Sequence, residues 1–203
     1  MKQFFQYLGI SLLFVGSLLG AQTPAEKLAQ TVDAALEVVY GDCCIEQSVA
    51  EKQAQVREII ESNFDITVLI RRAIGRNWKL MGADEQEQVL ELVKQLVVRA
   101  YVQRIKGMER PEVIFEDTIE VSSKRIEIPS VVVLGGQPIR VLYRMGLMGS
   151  GWQLFDIVAE DISVVSNFRQ QFDDHFRKGT GAELISLLSE LLERDDLNEK
   201  FQL

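Results

Sequence analysis

The residues able to do chemistry are few and scattered. Cys43 and Cys44 are the only cysteines, His175 is the only histidine, and the acidic pairs Asp173-Asp174 and Asp195-Asp196 lie near the C-terminus. Adjacent cysteines make a poor disulfide, because consecutive Cα atoms lie about 3.8 Å apart, below the usual bridging range. With one imidazole in the chain they also fall short of a zinc set. His175 needs a positioned partner and a cleft to act as a base, and beside Asp173-Asp174 and Phe176 it reads as a solvated helix flank. Asp156 is the better candidate. It stands in the apolar run "WQLFDIVA", where a carboxylate is a proton acceptor if unpaired and a structural anchor if it meets an arginine such as Arg140 or Arg144. The anchor is the expected role. Arg71, Arg72 and Arg76 gather just before Trp78, as a phosphate-facing rim or as ordinary surface partners for the many carboxylates. The chain has no Gly-x-Ser-x-Gly elbow, no phosphate-binding glycine loop and no His-Glu-x-x-His. Neither a catalytic site nor a metal site is expected.

The elements that must position these residues have legible ends. "TPAE" at 23–26, "SVAE" at 48–51 and "TGAE" at 180–183 are capping boxes, each predicting a helix start. The first opens a helix stopped by Gly41, the second one running to about Asn63, and the third one from about Gly181 to Arg194. Asp65 can cap a short helix over Ile66–Ile74, and a fourth helix runs from near Asp84 to Ile105. The last carries two adjacent apolar stripes, one with Val89, Val93 and Leu96 and one with Val97, Val98 and Tyr101, so it needs neighbours on several sides. From Pro111 the period changes to two. "EVIFEDTIEV", Arg125–Leu134, Ile139–Met145 and Trp152–Ala159 read as four strands of an antiparallel meander, with Pro129 at a bulge or edge. A helix over Val164–Lys178 follows, with Ser163 as its cap. The fold class is α+β, helices on a curved four-stranded sheet.

Strand 152–159 raises a separate question, because both parities of its residues are mostly apolar. Something apolar must cover each face.

At 203 residues, 47% apolar and 26% charged, the chain fits a single globular domain. Residues 1–21, with Lys2 followed by an apolar run from about Leu8 to Leu19 and then Gly20-Ala21, read as a cleavable secretory signal peptide. Composition and leader together predict one exported domain over 22–203. A formal net charge of −8 makes nucleic acid a poor partner.

"FDITVLIRRAIGRNWKLMGADEQEQVLELVKQLVVRAYVQRI" at 64–105 and "VLYRMGLMGSGWQLFDIVAEDISVVSNFRQQF" at 141–172 resemble two successive blocks of the MlaC (toluene-tolerance) proteins. Tyr143, Gly151-Trp152, Asp156, Ser163, Ser166-Asn167 and Arg169 fall where that pattern places such residues. The resemblance implies a periplasmic protein, not an enzyme, that holds a phospholipid by its acyl chains in a cavity between sheet and helices. It implies no cofactor, with the phospholipid as cargo, and exchange with an outer-membrane complex and an inner-membrane MCE/ABC transporter, maintaining outer-membrane lipid asymmetry. Under that resemblance the lipid-binding residues are Leu69, Ile74, Leu96, Val97, Tyr101, Val141, Tyr143, Phe155, Ile157, Val165 and Phe168. Two other classes stay open: a hydrolase or isomerase using Asp156 as its buried carboxylate, and an adaptor without ligand.

Overall fold

Three reciprocal capping boxes start helices where the sequence places them. In a computed structural model describing residues 22–44, 46–105 and 109–194, Thr23, Ser48 and Thr180 each accept from the backbone N–H of the glutamate three residues on, which returns a bond to the cap. They open α1 (Pro24–Tyr40), α2 (Val49–Asn63) and α6 (Gly181–Glu193). Asp65 caps α3 (Ile66–Ile74) through the Thr67 N–H, and Ser163 caps α5 (Val164–Phe176) through that of Ser166. The longest helix is α4 (Ala83–Ile105). Residues 1–21, the expected signal peptide, lie outside the described residues, as does the Asp195-Asp196 pair.

The sheet has six strands rather than the expected four: β1 (Glu112–Phe115), β2 (Ile119–Ser122), β3 (Arg125–Leu134), β4 (Gln137–Met148), β5 (Gly151–Ala159) and β6 (Ile162–Ser163). Two local causes account for the difference. Pro129 has no N–H to offer, and there the first expected strand splits: β1 pairs with Ser130–Val133, β2 with Arg125–Glu127. Between them the Glu116 N–H still reaches the Pro129 carbonyl at 2.9 Å. The sixth strand comes from a two-residue turn at Glu160-Asp161, both with positive φ, which folds Ile162-Ser163 back onto Val158-Ala159. Neither residue is a glycine, so the usual hairpin signal is missing from the sequence.

Apolar side chains pack in three places. Ile66, Ile70 and Ile74 of α3 meet Val89, Val93 and Leu96 of α4, Val165 and Phe172 of α5 and Leu184, Leu188 and Leu191 of α6. Val98 and Val102, on another side of α4, meet Ala35 and Val38 of α1 and Val56 of α2. So α4 does have neighbours on several sides, but of the second expected stripe only Val98 is buried among the described side chains, Val102 joins it, and Val97 is exposed. The third cluster joins Leu28 of α1 and Phe64 to Ile126, Ile128, Met145 and Leu154 of the sheet. Each of these side chains larger than alanine contributes on the order of 1.5–3 kcal/mol when fully buried.

An ion pair ties α2 to α4: Arg57 reaches both carboxylate oxygens of Glu91, at 2.5 and 2.7 Å. Those bonds hold the Glu91 carboxyl down to about 2. A depressed carboxyl stabilises the fold above its unfolded value, roughly 4.3, and the contribution is lost as pH falls toward the folded one. Glu91→Gln is therefore expected to lower the melting temperature by a constant amount above about pH 5. The gap from wild type should close between about pH 4 and pH 2, as measured by circular dichroism melts across that range.

Candidate functional site

The β5 strand is irregular at the residue that looked most capable of chemistry. Met145 faces Leu154 and Arg144 faces Asp156, so Phe155 is an extra residue in the ladder. Asp156, 7% exposed, gathers donors at this bulge. Its Oδ1 accepts from the Ile157 N–H at 2.9 Å, the Val165 N–H at 3.2 Å and the Ser163 hydroxyl at 2.9 Å. Its Oδ2 accepts from Arg144 Nη1 at 3.2 Å. Arg144 in turn donates to Glu127 at 2.9 Å. Glu127, Arg144 and Asp156 stand directly opposite one another on β3, β4 and β5. Arg144, not Arg140, is thus the partner of Asp156; Arg140 uses its backbone N–H to bond Glu160. A carboxylate with its oxygens committed to these donors is an anchor, and the acid–base reading of Asp156 loses its proton-accepting site.

The bulge also decides which way the strand's apolar residues point. Strict alternation would put Phe155 with Ile157. The extra residue instead leaves Leu154 and Ile157 on one face of the sheet, because their ladder partners Met145 and Tyr143 are two residues apart on β4. Phe155 lies on the opposite face, its ring over Gly146, where a Cβ would sit 3.4 Å from it. The first face is mostly apolar, with the buried hydroxyl of Ser130 in its middle. Ile126, Ile128, Met145 and Leu154 are buried under α1 and Phe64, while Val113, Phe115, Val132, Ile139, Val141, Tyr143 and Ile157 continue it and are only half-buried. Phe115 and Tyr143 lie with ring centroids 5.9 Å apart. Burial pushes the Tyr143 phenol up, opposed in part by a hydrogen bond with Ser130. Beside this face, Val32 and Leu36 of α1 and Val113 and Phe115 of β1 line a cleft of about 310 Å³ with Arg110 at its rim. Arg110 bonds Asp33 and Glu37, each at 2.6 Å, and so clamps α1 to the start of β1.

A family model described as MlaC protein matches residues 29–190. The chain belongs to the MlaC family. Among solved structures it is similar to the phospholipid-binding protein from Ralstonia solanacearum, determined in complex with a phospholipid, with a TM-score of 0.72 and 21% identity over 82% of this chain and 95% of that one. At that identity the likeness establishes the fold. Among curated proteins none matches in sequence.

On this MlaC fold the residues expected to bind lipid do not form one wall. Val141, Tyr143 and Ile157 share the half-buried sheet face. Leu69 packs against both the sheet cluster and the helical one. Ile74, Leu96, Val165 and Phe168 belong to the helical core. Val97 is 41% exposed on α4, and the Tyr101 side chain lies outside the described residues. Phe155 is turned away. Val113, Phe115 and Val132, which share the apolar face, were legible only as alternating strand residues; nothing in their spacing separates a ligand wall from a core.

Two polar expectations change. His175 is half-buried rather than solvated, with Nε2 3.0 Å from the Thr180 carbonyl and its ring edge-on to Phe176. Of the three clustered arginines only Arg76 meets a carboxylate among the described residues, Asp173 at 3.4 Å. Arg71 lies over Trp78 and Arg72 over Phe155. Among the described residues no group of three or more His, Cys, Asp or Glu could hold a metal, and no helix is long and apolar enough to cross a membrane.

Asp156→Asn leaves Arg144 with Glu127 as its remaining charge partner and replaces one acceptor oxygen of the anchor by an NH2 group. A loss of about 2–4 kcal/mol is expected, below the full cost of a broken buried pair because Arg144 is partly solvated. Urea unfolding checks it. Ser163→Ala, which removes the cap hydroxyl and one donor to Asp156, should cost about 1–2 kcal/mol.

Proposed function

We propose that this protein is a phospholipid carrier that holds its cargo by the acyl chains against the half-buried face formed by Val113, Phe115, Val132, Val141, Tyr143 and Ile157. The observation that carries the reading is that apolar face, continuous with a packed core yet left partly uncovered. Apolar side chains left half-covered beside a packed core have room for an apolar ligand to complete their burial. Burying a chain contributes about 0.8 kcal/mol per methylene, so tight retention requires area and no special chemistry. Family membership and the fold shared with the Ralstonia phospholipid-binding protein support the same cargo. The cleft of about 310 Å³ between α1 and β1 lies at the small end of ligand sites, roughly 300–1,000 Å³. Two chains entering there have to lift α1 or spread along the open face beside it.

The wider role follows the family. The mature protein works in the periplasm after loss of residues 1–21. It takes phospholipid from an outer-membrane complex and passes it to an inner-membrane MCE/ABC transporter, keeping the outer membrane asymmetric. It acts by binding, without catalysis or cofactor.

Native mass spectrometry of the gently purified, exported protein is expected to show a diacyl phospholipid adduct. A ligand-free spectrum together with no uptake from liposomes overturns the proposal. Neighbouring residues of β5 separate wall from core. Ile157→Trp, on the half-buried face, should lose lipid with little change in melting temperature. Val158→Trp, buried on the other face, should destabilise by about 1–3 kcal/mol through overpacking. If both variants melt early and neither selectively sheds lipid, Ile157 is core.

A further inference from the structure

Among the described residues five arginines, Arg57, Arg76, Arg110, Arg144 and Arg177, reach a carboxylate within 3.4 Å. Arg71, Arg72, Arg125 and Arg169 are among those that meet none in the described residues, as are Arg99, which bonds the Leu192 carbonyl, and Arg140 at the far end of β4, although the chain carries a formal net charge of −8. Arg71, Arg72, Arg125 and Arg169 are exposed. Arg169 is occupied structurally, since its Nε and Nη2 donate to the Arg72 carbonyl, at 3.1 and 2.5 Å, closing the end of α3. Arg71 rests on Trp78, 5.0 Å from the ring centroid. Arg72 and Arg125 are different. They come from α3 and β3, and both lie on one ring, that of Phe155, at 4.8 and 5.9 Å.

Phe155 is available to them only because of the bulge in β5, which turns it away from the apolar face that Ile157 occupies. The one ring receives both cations, and neither guanidinium meets a carboxylate among the described residues. Met148, 37% exposed, lies at the end of β4 on the same face as Gly146 under that ring, its methyl 3.7 Å from the position a Gly146 Cβ would take.

We propose that Arg72 and Arg125, on their shared Phe155 platform, form a docking surface for a bilayer containing anionic phospholipid, distinct from the acyl-binding face. A guanidinium suits phosphodiester oxygens because its planar donors match them in pairs. An exposed methionine, Met148, on the same face as the cations suits the boundary between headgroups and acyl chains; an acidic polypeptide has less use for it. The negative charge of the rest of the molecule orients the approach, since an anionic surface attracts this patch and repels the remainder. The choice of a bilayer over an acidic protein rests on the phospholipid reading above.

Sedimentation with vesicles tests the surface, using the mature protein and equal parts phosphatidylglycerol and phosphatidylcholine against phosphatidylcholine alone. The wild type should bind the mixed vesicles in low salt, bind the neutral ones weakly, and be released by high salt. Arg72→Gln with Arg125→Gln should weaken binding about thirtyfold, the factor expected for two basic residues lost from an anionic surface. Arg125→Glu alone, at an exposed site on β3, should weaken it too if the double variant melts early. Native mass spectrometry of the same samples keeps the readings apart. Variants that retain lipid yet leave the vesicles support docking by this patch. Vesicle binding that depends on both arginines in a protein that carries no lipid supports docking and removes the carrier reading alone. Equal binding to both vesicle types, undiminished binding by the folded variants, or no vesicle binding with arginine-dependent capture on polyglutamate overturns the proposal, the last in favour of an acidic protein partner.

Discussion

The arrangement of this protein turns on the carboxylate of Asp156. It accepts from the backbone on both sides of a change in direction, Ile157 in the strand and Val165 in the helix, and from the hydroxyl that caps that helix. Arg144 extends the contact across β4 to Glu127 on β3. Three strands and a helix start are thereby fixed to one side chain. In water each bond would be replaced at little cost; in a site this dry an unmet donor is expensive, and the bonds become constraints on geometry. The carboxylate thus ties the bulge to the entry of α5, while the turn at Glu160-Asp161 is held separately by backbone and side-chain bonds to Arg140.

That geometry sorts the side chains of β5 by purpose. The apolar residues at both parities pose the problem of what covers two faces, and the bulge answers it unevenly. Leu154 and Ile157 go to the face that runs from a packed core under α1 to a half-open apolar surface, while Val158 is buried on the other side and Phe155 becomes a platform for arginines. One inserted residue therefore separates an apolar surface from a cationic one.

Much of this was legible in the sequence where the cause is local. The capping boxes at Thr23, Ser48 and Thr180 set helix starts through bonds made within a single turn. The double stripe of α4 foretold neighbours on two sides, and Asp156 in an apolar run foretold an arginine. Features that depend on alignment between strands were not legible. The bulge exists only relative to β4, so nothing in "WQLFDIVA" places Phe155 apart from Ile157. The lipid-binding residues implied by the resemblance scatter for a similar reason: an apolar helix position such as Ile74 or Leu96 looks alike whether it faces another helix or a ligand. Arg110 gave no signal, because its partners Asp33 and Glu37 lie more than seventy residues away.

The break at Pro129 has a bearing on the company the molecule keeps. A protein with half-open apolar surface on its sheet is at risk of sharing that sheet with its own copies, and the outer strand is where such sharing starts. Here the outer strand is cut in two, with Glu116, Asp117 and Thr118 exposed at the gap and Glu112 and Glu120 on either side. No run of open backbone along that border exceeds four residues, and a neighbour laid against it meets like charge. A proline chosen on local grounds thus works against fibrils at the very place where strands would otherwise add without limit.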